Sequence, residues 1–484
     1  MGAISIRYIP LCLTLLLAVS RASSAGERYT VYMGGGGDSA DSTTTIFDSG
    51  LSAFGTYLQT NPWNSEVRFD GGHSVTEGIV SSQFPSIPES NRGPFTLQSY
   101  SKTIDKYVAL IKSGKIKDGD QLLLMIDSHG LTNPDGIWGK AHGIAVGNSK
   151  GTFLGEGEEV SLSRLEELSL LAKAKHVNLA IVDMSCHSGN SLTLANERTC
   201  VITATGPEQY GYSGFAARFV KNMKAGKSLE DVFLETRKND TNPAYPMIST
   251  PAGLELNRKL YPKITPFLYF DSKELNAYDL SPRLLDQARS CSPPKDSAEE
   301  LLAQIEQLKS TVVGGQVDMS ELTPLLKRYQ QEQDQMTTEL RSLGAQELNN
   351  VETCTTSVKY GGNQHIDYHA TATWSVLLLS SFSPEQFKYL NDQMNAATTG
   401  RDKAQVQAQI QCLDWNKKKL EEITSTHPEV QSYKEKSDAL LKKMTDTYSL
   451  AEKIATAERG VYGNLYSDLA KGDKSSNACK NFAL

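Results

Sequence analysis

The chain has 484 residues, more than one ordinary domain needs and enough for about two to four units. Its apolar content of 39% and charged content of 22% are those of a globular chain. The formal net charge of −7 comes without a basic block, which argues against nucleic acid or an anionic membrane as the main partner.

The first residues set the compartment. Arg7 is followed by an apolar core over about 9–19 and then by small residues ending in Ser23-Ser24-Ala25. This is the pattern of a signal peptide over 1–25, cleaved after Ala25. The apolar core falls short of the roughly 20 residues a spanning helix needs, and so does "WSVLLLSSF" at 374–382. With no cysteine at the cleavage point, a secreted or periplasmic protein without a stable membrane anchor is expected.

From Tyr29 to about 285, short apolar strands alternate with helical stretches. Strands are expected at 29–33 and 66–70, then a helix within 96–114. "QLLLMID" (121–127) and "VNLAIVD" (177–183) are near-continuous apolar runs, as in strands covered on both faces. A helix capped by Ser161 or Ser163 is expected between them, and a further strand at 200–205. Helices at 213–226 and 228–238 follow, with a last strand at 265–270. Such alternation implies a mostly parallel sheet between helical layers. "QARSCSPPKDS" (287–297) reads as a linker, and helical spacing dominates beyond it. The exception is 356–381, expected as a hairpin; its "HIDYH" histidines, His365 and His369, read as surface residues rather than metal ligands.

Six cysteines remain after the leader. Cys291, Cys354, Cys412 and Cys479 lie in the C-terminal part and allow two disulfides in three connectivities. Cys186 and Cys200 lie before the linker, where pairing with each other competes with a chemical role for Cys186.

In an open parallel sheet, ligands bind outside the carboxyl ends of the strands. Two such ends carry reactive groups: 121–127 runs into Ser128-His129-Gly130, and 177–183 runs into Met184-Ser185-Cys186. A cysteine nucleophile needs a base or an electropositive setting, because the thiolate is the reactive form. Together these ends suggest a catalytic dyad, with Gly130 and Gly189 letting a substrate backbone approach. The N–H groups of Gly130 and Cys186 are candidates for an oxyanion hole. His187 reads as part of the turn and His142 as a surface or rim residue of a hairpin after His129. "MGGGGDS" (33–39) lacks a phosphate-loop pattern, and no metal or other cofactor is called for.

"SHG" after a buried strand, followed by an apolar strand ending in "D-x-S-C-H-S-G", resembles the caspase-like cysteine peptidases, a group that includes caspases, metacaspases, legumains, gingipains and clostripain. The cysteine motif is most similar to the metacaspase type, whereas 116–130 looks more like the legumain side. The resemblance covers about residues 27–275. It implies a caspase-like three-layer α/β sandwich, the domain expected over 26–286; it covers nothing after the linker 287–297, and the mainly helical accessory domain over 298–484 is expected from helical spacing alone. The resemblance implies His129 as base, Cys186 as nucleophile and a polypeptide substrate cleaved through a thioester. In metacaspases an acid two residues before the cysteine meets a basic substrate side chain; here that position is Met184, and Asp183 lies one residue earlier. Asp38, Asp183, Met184, Thr205 and Gly206 are therefore the candidate substrate-binding residues. A legumain-like transamidase and an inactive binding scaffold are the alternatives. The helical half is expected to serve as a protein-interaction module or as a block on the site until the linker is cut.

Overall fold

A computed structural model describes residues 26–36, 47–133, 141–147, 159–211, 213–242, 244–268, 296–311, 316–344, 346, 348–374, 390–395, 397, 399–471, 475 and 477–484. Residues 1–25, expected to be a signal peptide, Asp38 and most of the expected linker lie outside them. The first part of the chain runs β1 (Arg28–Gly34), α1 (Asp48–Thr60), β2 (Asn64–Phe69), α2 (Ser74–Gln83), β3 (Arg92–Gly93), α3 (Leu97–Lys112) and β4 (Gln121–Asp127). It continues with β5 (Gly130–Asn133), β6 (Ala141–Ala145), β7 (Glu159–Ser161), α4 (Ser163–Ala174), β8 (Asn178–Asp183) and β9 (Thr199–Thr203). Then come α5 (Ser213–Asn222), α6 (Leu229–Lys238), β10 (Met247–Ile248) and α7 (Pro251–Leu268). The C-terminal part holds α8 (Ser297–Thr311), α9 (Leu322–Gly344), the hairpin β11 (Val351–Gly361) and β12 (Gln364–Thr373), α10 (Gly400–Thr426), α11 (Pro428–Lys471) and α12 (Ala478–Asn481).

Seven strands form the central sheet in the order β10-β9-β8-β4-β1-β2-β3. All neighbours are parallel except β9 and β10. The side-chain period of two divides each buried strand between two cores. Leu122, Leu124 and Ile126 of β4 join Tyr100 and Ile104 of α3 and Leu165 and Leu168 of α4 on one face. Leu123 and Met125 point to the other face, against Phe54 of α1, Phe219 of α5, Phe233 of α6 and Leu256 of α7. The expected three-layer α/β arrangement is therefore what the chain forms. β5, β6 and β7 make a small antiparallel sheet beside the β4 carboxyl end.

Several expectations change. Residues 265–268 belong to α7, not to a last strand, because Leu256, Leu260, Ile264 and Phe267 are buried at helical spacing. The start of α4 has Leu162 as its cap residue without a side-chain cap, and the Ser161 and Ser163 hydroxyls bond each other at 2.8 Å. The four C-terminal cysteines do not pair only among themselves. Cys354 bonds Cys412, but Cys479 bonds Cys200 in β9; Cys186 is free among the described residues, and Cys291 lies outside them.

That second bridge belongs to a wider union of the two parts. Leu301, Ile305, Leu326, Tyr329, Leu450, Ile454, Leu465 and Phe482 share one apolar cluster with the sheet. Arg237 of α6, fully buried, lies 3.4 Å from the Tyr462 ring centroid and 4.5 Å from that of Tyr245, with Glu458 as its ion partner. The Arg459 guanidinium donates to the carbonyls of Asp240 and Asn242. The boundary near 287–297 thus does not separate two cores. A second cluster, around Met336, Trp374, Ile423 and Tyr433, belongs to the C-terminal part alone. The expected hairpin forms as β11 and β12, with His365 and His369 exposed.

Candidate active site

β1 feeds β2 and β3 on one side and pairs with β4 on the other, so the strand order reverses there. A crevice opens at such a reversal, outside the strand carboxyl ends. The register across the adjacent pair β4 and β8 is informative. Ile126 pairs with Asp183, and His129 and Cys186 each come three residues later. Both are partly exposed.

The backbone around each is held from several sides. Before His129, the buried Ser128 hydroxyl donates to the Ala145 carbonyl at 2.7 Å and accepts from the Gly36 N–H at 2.9 Å. The His129 carbonyl accepts from the Ala145 N–H at 2.9 Å, and its ring meets Phe47 edge-on at 5.1 Å. Gly130 must lack a side chain: a Cβ there would lie 1.9 Å from the Cys186 carbonyl oxygen. The stretch after the imidazole therefore rests directly on the backbone of the thiol residue. On the other side the Gly211 N–H donates to Cys186 Sγ at 3.1 Å. Gly211 was not legible as a site residue, because nothing in "GPEQYGYSG" marks which N–H will point at the sulfur.

Behind Cys186 lies a polar cluster cut off from water. Asp183 accepts from the Ser185 N–H (3.1 Å), the Ser185 hydroxyl (2.6 Å), the Ser191 hydroxyl (2.6 Å) and His142 Nε2 (3.1 Å). Burial alone would raise the Asp183 carboxyl; the nearby His142 and the hydrogen bonds from His142, Ser185 and Ser191 outweigh it and hold the group below the usual carboxylate range. An ionised carboxylate only accepts, so Nε2 of His142 carries a hydrogen. His142 is 2% exposed, which corrects its reading as a surface or rim residue: the β5–β6 hairpin turns it inward to meet Asp183.

The substrate-binding candidates change as well. Asp38 lies outside the described residues. The Asp183 side chain is fully buried with both oxygens engaged, so it presents no charge at the surface. Met184 is 4% exposed and packs in the apolar core. Thr205 is buried, its hydroxyl donating to the Gly206 carbonyl at 3.0 Å, and Gly206 is pressed against Tyr261. Gly189 faces Pro207 and Gly206 rather than open space, so close packing explains that glycine. What lies exposed beside Cys186 is Tyr210, 68% exposed, whose ring meets His187 at 5.3 Å. His187 itself adopts a left-handed turn with φ of 61° and donates its N–H to the Gln209 carbonyl at 2.7 Å.

One further carboxyl lies under the site. Asp127, at the end of β4, is fully buried; burial pushes its pKa up to about 7, against the opposing hydrogen bond from Tyr32. The Tyr32 hydroxyl donates to Asp127 Oδ2 at 2.7 Å. Among the described residues, no group of three or more His, Cys, Asp or Glu could hold a metal ion.

No family model matches the chain, and no curated protein matches it. A solved structure that it resembles is the crystal structure of the Drosophila initiator caspase Dronc, with 13% sequence identity over 44% of this chain and 73% of that chain, at a TM-score of 0.26. Likeness of that degree assigns no chemistry, which belongs to sites and not to folds.

Among the described residues no helix is long and apolar enough to cross a membrane. Two disulfides are consistent with an oxidising compartment.

Proposed function

We propose that the chain is a secreted or periplasmic cysteine endopeptidase of the caspase-like kind, with Cys186 as nucleophile and His129 as base. The observation that carries this reading is the register of β4 and β8, which gives His129 and Cys186 the same offset beyond two adjacent paired strands. Gly130 lying against the Cys186 backbone supports it.

In this reading His129 takes the proton of the Cys186 thiol, and Sγ attacks the scissile carbonyl carbon. The Gly211 N–H supports the sulfur while it carries negative charge. The N–H groups of Gly130 and Cys186 are the proposed donors to the developing oxyanion. The C–N bond then breaks, His129 gives its proton to the departing amine, and a thioester joins the acyl group to Cys186. Water, deprotonated by His129, attacks the thioester, releasing the carboxylic acid and restoring the thiol. No cofactor enters these steps.

The test is a fluorogenic peptide panel, varied at the residue before the scissile bond, with wild type and Cys186→Ala in parallel. Cleavage that falls at least about 10³-fold in the variant supports the peptidase. Products that incorporate an added amine in place of water would make it a transamidase. Absence of cleavage, together with alkylation of Cys186 no faster than a free thiol, would make the chain a scaffold.

A further inference from the structure

Asp183, His142, Ser185 and Ser191 form a fully buried cluster immediately behind the proposed nucleophile. Its composition suggests a serine triad, but its geometry does not: Asp183 and Ser185 meet the same imidazole nitrogen, and no member reaches solvent. In a triad the acid and the serine hold opposite nitrogens.

The connections point elsewhere. The Asp183 carboxylate accepts the N–H two residues ahead, at Ser185, which closes an Asx turn at the end of β8. This turn ends the strand and leads directly into Cys186. Through Ser191 the same carboxylate holds the 3-10 helix Ser188–Leu194 that follows the cysteine. Through His142 it holds β6, the partner strand of β5, whose first residue is Gly130. One carboxylate thus ties together the segment before Cys186, the segment after it, and the hairpin that continues from His129. Four donors around a buried anion make a rigid joint, because loosening it would leave a charge without partners in a medium that solvates it poorly.

We propose that Asp183, together with His142, is the positioning pair that fixes the Cys186 turn relative to the His129 hairpin, and that it does not read the substrate side chain. The proposal deepens the peptidase reading and rests on it for its kinetic measurement only. It explains why an acid near the cysteine lies one residue before the position that would face substrate: there it points inward and acts on geometry.

The experiment uses the full chain. Asp183→Asn is isosteric, but its amide turns a donor toward the donors of Ser191 and His142. Ser191→Ala and His142→Gln each remove one arm of the cluster while leaving the Asp183 carboxylate and its Asx turn. Three quantities are read: kcat and KM across the peptide panel, the rate of Cys186 alkylation by iodoacetamide, and the thermal midpoint. For Asp183→Asn, kcat falls about 10–100-fold, as a small displacement of reacting groups costs. KM stays within about twofold of wild type for every residue before the scissile bond, because no contact with substrate is lost. Alkylation slows in parallel, and the two single-arm variants fall in the same direction by less. Loss confined to basic substrates and expressed in KM overturns the proposal in favour of a specificity acid. Unchanged kcat and alkylation in all three variants overturn it as well. Should Asp183→Asn fail to melt cooperatively, the single-arm variants decide. If wild type shows no Cys186-dependent cleavage and alkylation still slows in the variants, the peptidase reading fails and the positioning pair stands.

Discussion

The two ends of the central sheet are built for opposite purposes, and two cysteines mark the difference. Cys186 lies beyond the carboxyl end of β8, partly exposed and free. Cys200 lies near the amino end of β9, opposite Ala180, fully buried and bonded to Cys479. At the carboxyl end buried polar groups converge on Asp183, behind a free thiol. At the amino end the chain is sealed: Phe482 stacks on Trp63 at 6.3 Å, and the guanidinium of Arg28 lies 5.6 Å from the same indole. Three backbone hydrogen bonds join Lys227 and Leu484, Gly226 and Leu484, and Leu229 and Phe482 at 2.8–3.1 Å. The carboxyl rim spends stability on polar desolvation, and the amino edge restores it with apolar burial and a covalent bond. Cutting the connection between residues 268 and 296 would therefore leave two pieces still bonded through Cys200 and Cys479, sharing one core. The C-terminal part thus contributes to the same core as the sheet.

The contrast can be broken experimentally. The largest separation comes from Cys186→Ala against the pair Cys200→Ala with Cys479→Ala. The first removes cleavage, by at least about 10³-fold, and leaves the unfolding midpoint in urea unchanged. The second lowers stability by about 2–5 kcal/mol in the same urea titration. Alkylation of Cys186 in the second, measured in buffer where it is still folded, stays at the wild-type rate; a parallel loss would mean that the two ends are coupled. Next is Gly130→Ala, whose new methyl group must push the Cys186 backbone away. We expect kcat to fall by about 10²-fold with little change in melting temperature, since the displacement is local and the site is partly open. A large loss of stability instead would place Gly130 with the structural end.

The last test concerns Asp127, where the raised value of about 7 can be followed through pH. Its unfolded value is near the ordinary 3.8. The folded chain holds an extra proton between those two values, so the stabilising contribution is complete below pH 4 and declines as pH rises toward 7. The slope is at most about 1.4 kcal/mol per pH unit. Asp127→Asn removes that slope. Urea midpoints at pH 4, 6 and 8 should show the variant gaining on wild type as pH rises; a constant difference would mean that Asp127 stays ionised throughout.

The sheet was readable because β4 and β8 are continuous apolar runs, and buried parallel strands leave that trace. His129 and Cys186 were readable as candidates because each follows such a run. What escaped was anything decided by partners distant in sequence. The burial of His142 depends on a hairpin carrying it to Asp183, 41 residues away. The Cys200–Cys479 bond spans 279 residues, and cysteine positions alone leave connectivity open. "TPFLYF" resembles a strand locally, but its first four residues complete a helix whose apolar stripe starts before them. Asp183 stands close to where a specificity acid was expected, and only its tertiary contacts reveal that it faces the interior.

The sequence separation of that bond also bears on synthesis. β9 leaves the ribosome long before residue 479 does, and at about 5–20 residues per second the wait is roughly 14–56 s. During that interval Cys200 has no Cys479 to bond, and the amino edge of the sheet lacks the Phe482 contact that closes it. The bond that closes the amino edge of the sheet is therefore among the last parts of the fold to be completed.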